Sequence, residues 1–101
     1  MGKVAVAVKL RIKAGQRDAF TEAVKPGLAT AEGESGTQTY IFHHDALDAD
    51  VVWFYEVYAN QDAMNAHMGS EAFKAFSKSL GEFVDGAAEF NLLTPIGGKG
   101  L

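Results

Sequence analysis

The sequence contains no cysteine. Disulfide cross-links, thiolate metal sites and a cysteine nucleophile are therefore excluded. No apolar run approaches the roughly 18 residues that a membrane-crossing helix needs, so no span is expected. The opening Met1-Gly2-Lys3-Val4-Ala5-Val6 lacks a long apolar core followed by a small-residue cleavage site, and no signal peptide is read there. Basic residues are scarce: 9 Lys and Arg stand against 13 Asp and Glu, a formal net charge of −4. The cations are scattered and build no basic face, which argues against nucleic acid as a partner. Metal-ligand spacing is missing as well. His43 and His44 are adjacent on a strand and point to opposite faces, and no His-x-His or His-x3-His pair exists, so no metal is expected. Gly97-Gly98-Lys99-Gly100 is glycine-rich, but no helix follows it, and it is not read as a phosphate loop.

What is present fits one compact domain. The 101 residues are 48% hydrophobic and 22% charged, enough apolar material for a core. The expectation is a single soluble, cytoplasmic domain over residues 1–101, with a core over 1–96 and a flexible tail over 97–101. Val4 to Ile12 alternates: Val4, Val6, Val8, Leu10 and Ile12 share one face of a strand, and Ala5, Ala7, Lys9 and Arg11 the other. Gln16 to about Ala31 predicts a helix, with Phe20, Val24 and Leu28 on one stripe and a kink or break near Lys25 ahead of Pro26. Thr37 to His44 predicts a second strand, Asp45 to Asp50 a polar turn, and Val51 to Ala59 a third strand. Asn60 then caps a helix that pauses near Gly69-Ser70 and resumes to about Val84. Ala87 to Pro95 predicts the last strand. The order β-α-β-β-α-β implies an α+β, ferredoxin-like fold: a four-stranded antiparallel sheet with its helices on one face.

The third strand, Val51-Val52-Trp53-Phe54-Tyr55-Glu56-Val57-Tyr58, is apolar on both faces, while helices cover only one side of such a sheet. A second copy of the chain is the simplest cover for the other side. If Glu56 shares the face of Lys9 and Arg11 and pairs with one of them, Phe54 and Tyr58 point at that partner, and Trp53 and Tyr55 point toward the helices. The expected assembly is thus a homodimer through the sheet face carrying Phe54 and Tyr58.

The run from Glu56 to Phe76 resembles the signature of the antibiotic biosynthesis monooxygenase domain family, including its quinol-monooxygenase-like members. A strand closes on Glu56, a spacer and Tyr58. The polar cap Asn60 follows, then Ala63, then His67 four residues later, then Ser70 and the spaced aromatics Phe73 and Phe76. Ser35-Gly36 leading to Tyr40 resembles the family's entry into the second strand, with serine in place of the usual proline. Leu93-Thr94-Pro95 resembles its last strand. The resemblance implies a dimeric α/β barrel and oxygenation of a small aromatic or quinol-type substrate by O2 without metal, flavin or other cofactor. The alternative is a dimeric barrel of the stress-response type that holds a small hydrophobic ligand without turning it over. Haem-degrading relatives of the fold use an Asn, a Trp and a His where this chain has Val8, His67 and a residue near Ser77, so a haem role is not expected.

Such chemistry needs a dry pocket, aromatic walls and one group able to take a proton. His67 is the candidate catalytic base, since an imidazole titrates near neutrality. The competing reading makes it a packing residue that satisfies a backbone carbonyl. Trp53, Tyr40, Phe73 and Phe76 are the candidate substrate-binding residues, with Tyr40 able to donate to a substrate oxygen. Core packing is the bland reading of all four.

Overall fold

The computed structural model describes residues 2–101. Strand β1 runs over Val4–Arg11, helix α1 over Arg17–Glu32, strand β2 over Thr37–His44 and strand β3 over Val51–Tyr58. Helix α2 spans Gln61–Gly69, helix α3 spans Glu71–Leu80, a 3-10 turn follows at Gly81–Phe83, and strand β4 spans Glu89–Leu93. All strand pairs are antiparallel, in the order β2-β3-β1-β4. This is the ferredoxin-like arrangement expected from the element order.

Local chemistry explains the boundaries. The Asn60 side chain accepts the Ala63 N–H at 2.8 Å and starts α2. Ser70 both ends α2 and starts α3. Its hydroxyl donates to the His67 carbonyl at 2.8 Å and accepts the Phe73 N–H at 3.1 Å, so the two helices meet at a fixed corner. Helix α1 continues unbroken past Pro26, contrary to the expected break. Its buried stripe is Phe20, Val24, Gly27 and Ala31, with Leu28 only partly covered.

The faces of the sheet differ from the expectation at β3. The register pairs Val6 with Glu56, Val8 with Phe54 and Lys9 with Trp53. Directly paired residues share a face. Glu56 and Phe54 therefore lie with the β1 valines under the helices, and Trp53 lies with Lys9 on the open face. Phe54 joins Leu10, Phe20, Val24, Val52 and Leu80 in the main core, and Tyr58 packs with Val6 and Met64 in a second cluster. Phe54 and Tyr58 are thus core residues and cannot meet a partner, and Glu56 pairs with neither Lys9 nor Arg11. Lys9 instead stands over the Trp53 ring, 5.6 Å from its centroid, and Arg11 meets Asp48 at 3.2 Å. The sequence alone favoured the wrong face because it placed a charged residue with other charged residues. Burial of Glu56 is made tolerable by a partner two residues away on the same strand face: the Tyr58 hydroxyl donates to its carboxylate at 2.5 Å.

Candidate functional site

Helix α3 does not lie flat on the sheet. Between them is a cavity of about 510 Å³, within the range of small-molecule sites. Val8 and Leu10 form its floor from β1, Tyr40 closes it from β2, and Phe54 and Glu56 come from β3. Phe73, Phe76, Ser77 and Leu80 of α3 form the roof, and Val84, Ala88 and Phe90 reach it from the chain after α3. The walls are mostly hydrocarbon. The polar side chains on them are Glu56, Tyr40 and Ser77.

The roof depends on a close helix contact. A Cβ at Gly27 of α1 would fall on the Phe76 ring. The φ of Gly27 is not in the left-handed region, so glycine is needed here for space. A Gly27→Val substitution must displace Phe76, and the open direction is into the cavity. The expected cost is about 1–3 kcal/mol in denaturant unfolding, typical of overpacking, together with weaker uptake of any cavity ligand.

Burial governs the ionisable groups. Glu56 is 5% exposed, and loss of water pushes its carboxyl above the ordinary carboxylate range; the Tyr58 hydrogen bond and the neighbouring His67 partly oppose this. Burial also raises the Tyr40 hydroxyl, with the Glu56 and Glu34 charges adding to the effect. Burial likewise raises Tyr58, reinforced by its bond to Glu56. Both tyrosines therefore stay protonated near neutral pH: Tyr58 donates to Glu56, and Tyr40 keeps a proton that it can donate.

His67 sits in the last turn of α2 and is 5% exposed. Its ring packs among Tyr40, Tyr58 and Phe73, with centroids 5.2, 5.4 and 5.0 Å away. It is one layer behind the cavity: Tyr40 and Phe73 line the space and His67 does not. Its Nδ1 lies 2.7 Å from Glu34 Oε1, on the loop between α1 and β2. Its Nε2 is buried and has no hydrogen-bond partner among the described residues.

Of the residues anticipated for substrate contact, Tyr40, Phe73 and Phe76 come together on the cavity wall. Trp53 does not. It lies on the opposite face of the sheet, where its indole N–H donates to Asp45 at 2.9 Å and holds that carboxyl below its usual range. Sequence reasoning missed Glu56 as a cavity residue, because it put Glu56 on the face of Lys9 and Arg11. It also missed Glu34, which no local pattern ties to His67, 33 positions away.

A sequence model of the antibiotic biosynthesis monooxygenase family matches residues 3–79. No curated protein matches the chain in sequence. Solved structures share the fold at low identity. A Caulobacter crescentus protein named for the same family is 23% identical, with a TM-score of 0.87 over 95% of this chain and 92% of its own. SnoaB of Streptomyces nogalater, described as a cofactor-independent oxygenase and solved as a variant, is 13% identical, with a TM-score of 0.87 over the full length of both chains. A conserved protein of Methanosarcina mazei is 20% identical, with a TM-score of 0.86 over 92% of each chain.

Proposed function

The chain belongs to the antibiotic biosynthesis monooxygenase family, and from that premise we propose that it oxidises a small phenolic or quinol-type aromatic with O2 in the cavity beneath α3. The observation that carries this reading is Glu56, a buried carboxyl on the wall of an otherwise apolar space, with its proton affinity raised by loss of water. A base of raised pKa abstracts a phenolic proton better than an exposed carboxylate does. Tyr40 donates to the oxygen that becomes negative, and Phe54, Phe73, Phe76 and Phe90 hold the ring between apolar surfaces. The cofactor independence for which SnoaB is described is extended here to this chain. The substrate supplies the electrons. For a simple phenol, the hydroxyl proton and one ring hydrogen leave, the ring carbon gains one oxygen atom to give a quinone, and the second oxygen atom leaves as water.

His67 remains the proposed partner base, one layer behind Glu56. His67→Ala is expected to lower turnover of a quinol-type substrate at least about tenfold, at the low end for loss of a positioned proton-transfer group. The assay is O2 consumption with a panel of quinols and hydroxyanthrones, run at a temperature where both proteins are folded by circular dichroism. Unchanged turnover assigns His67 to packing.

A second reading has one observation in its favour: His67 lies behind the wall and not in it. The protein then binds a hydrophobic aromatic without oxidising it. Saturable ligand binding with no O2 uptake across the panel separates this from the enzymatic reading.

With either reading we propose a homodimer, now through the open face of the sheet. That face carries Trp53 and three exposed apolar residues, Ile41 at 48%, Leu93 at 45% and Tyr55 at 40%. A standard interface buries about 1,600 Å² in total. Sedimentation at micromolar concentration is expected to give a dimer, and Tyr55→Asp a folded monomer. A native monomer removes the proposal.

A further inference from the structure

His67 separates two spaces. Beyond Tyr40 and Phe73 lies the apolar cavity. On its other side is a polar crevice between the α1–β2 loop and α2, lined among others by Glu34, Thr37, Asn60, Asp62 and His67 itself. Glu34 stands at this boundary with its side chain 24% exposed. Its Oε1 accepts from the Thr37 hydroxyl at 2.8 Å and faces His67 Nδ1 at 2.7 Å. An ionised carboxylate only accepts, so a neutral imidazole must carry its proton on Nδ1 to make this bond. The same bond leaves Nε2 as a bare lone pair, and Nε2 is the buried side-chain polar atom that lacks a partner among the described residues. Free imidazole in water favours no such arrangement by itself; the bond made by one ring nitrogen decides the state of the other.

We infer that Glu34 is a positioning residue, which locks His67 in the Nδ1–H form and presents Nε2 as an acceptor inside the aromatic cage. This rests on the oxidation reading for its purpose. The groups that face His67 are Glu34 from the loop, Tyr40 from β2, and Glu56 and Tyr58 from β3, while α3 brings only Phe73. The proton that Glu56 takes from the substrate returns to the second oxygen atom as that atom leaves as water, so no net proton has to leave the cavity. Between those two steps Nε2 is the acceptor that can hold the proton while the Nδ1 proton stays hydrogen-bonded to Glu34, and no electron moves through either residue.

The test is the tautomer of His67 in the whole protein, read by long-range proton–nitrogen correlation of 15N-labelled histidine at a pH where the spectrum itself shows a neutral ring. The native protein is expected to show protonated Nδ1 and bare Nε2. Glu34→Gln keeps that tautomer, because the amide oxygen still accepts. Glu34→Leu loses it, and lowers kcat about tenfold with KM nearly unchanged. A native Nε2–H tautomer overturns the inference, as does an unchanged tautomer in Glu34→Leu. If Glu34→Leu does not fold, the native and Glu34→Gln spectra decide. The expected tautomers without any substrate oxidation overturn the enzymatic reading and leave the Glu34–His67 lock standing.

Discussion

Glu56→Gln is expected to lower turnover of a phenolic substrate by about 10²–10⁴-fold, the usual loss when a positioned base is removed. Glutamine has the same shape, and its amide oxygen still accepts from the Tyr58 hydroxyl, so the wall of the cavity is preserved. Only the ability to take a proton is lost. The substitution also has a signature independent of activity. The folded-state pKa of Glu56 is raised from its ordinary value of 4.5, so between that value and the folded pKa the native state binds more protons than the unfolded state. Stability from this group is therefore greatest below pH 4.5 and falls as pH rises through the folded pKa. Glu56→Gln removes that fall. Denaturant unfolding at several pH values should show a flatter profile for the variant, with stability near neutrality equal to or above that of the native protein. A steeper profile would mean that the carboxylate is well satisfied, and the argument for a strengthened base would be lost.

Phe54→Asp is expected to unfold the protein. The side chain is 5% exposed, packs with Leu10, Val24 and Leu80 in the main core, and stacks near Phe42 and Tyr40 with centroids 5.2 and 5.8 Å away. Truncating such a phenylalanine to alanine costs about 3–5 kcal/mol, and small domains have only about 5–15 kcal/mol in all. Aspartate adds an unpaired buried charge beside Glu56, on the same strand face. The contrast with Tyr55→Asp, one residue along, follows from the pleat: adjacent strand residues point to opposite faces. Circular dichroism should show Phe54→Asp without a cooperative transition and Tyr55→Asp with one. A folded Phe54→Asp monomer would reverse the faces of β3.

The element order was legible because the relevant signals are local. The alternation in Val4–Arg11, the Asn60 cap and the Ser70 corner each act within a few residues. The face of β3 was not legible, because its two faces are about equally apolar and Glu56 breaks the pattern without saying which way. What decides it is the register with β1, which pairs Lys9 with Trp53 and Val6 with Glu56. The site divides in the same way. Tyr40, Phe73 and Phe76 could be anticipated from spacing and resemblance. Glu34 could not, since its link to His67 exists only after α2 folds back against the α1–β2 loop. Trp53 looked like a wall because large aromatics in a core strand usually are, yet it sits beside Lys9 on the far side of the sheet.

The most direct measurement is the fate of 18O2 in the presence of native protein and a hydroxyanthrone or quinol that it consumes. The expected result is one labelled oxygen in the quinone product and one in water for each molecule of O2 used, with incorporation falling at least about 10²-fold in Glu56→Gln. Binding of the whole panel without oxygen uptake, or equal incorporation by the native protein and Glu56→Gln, would contradict a cavity in which Glu56 starts the oxidation.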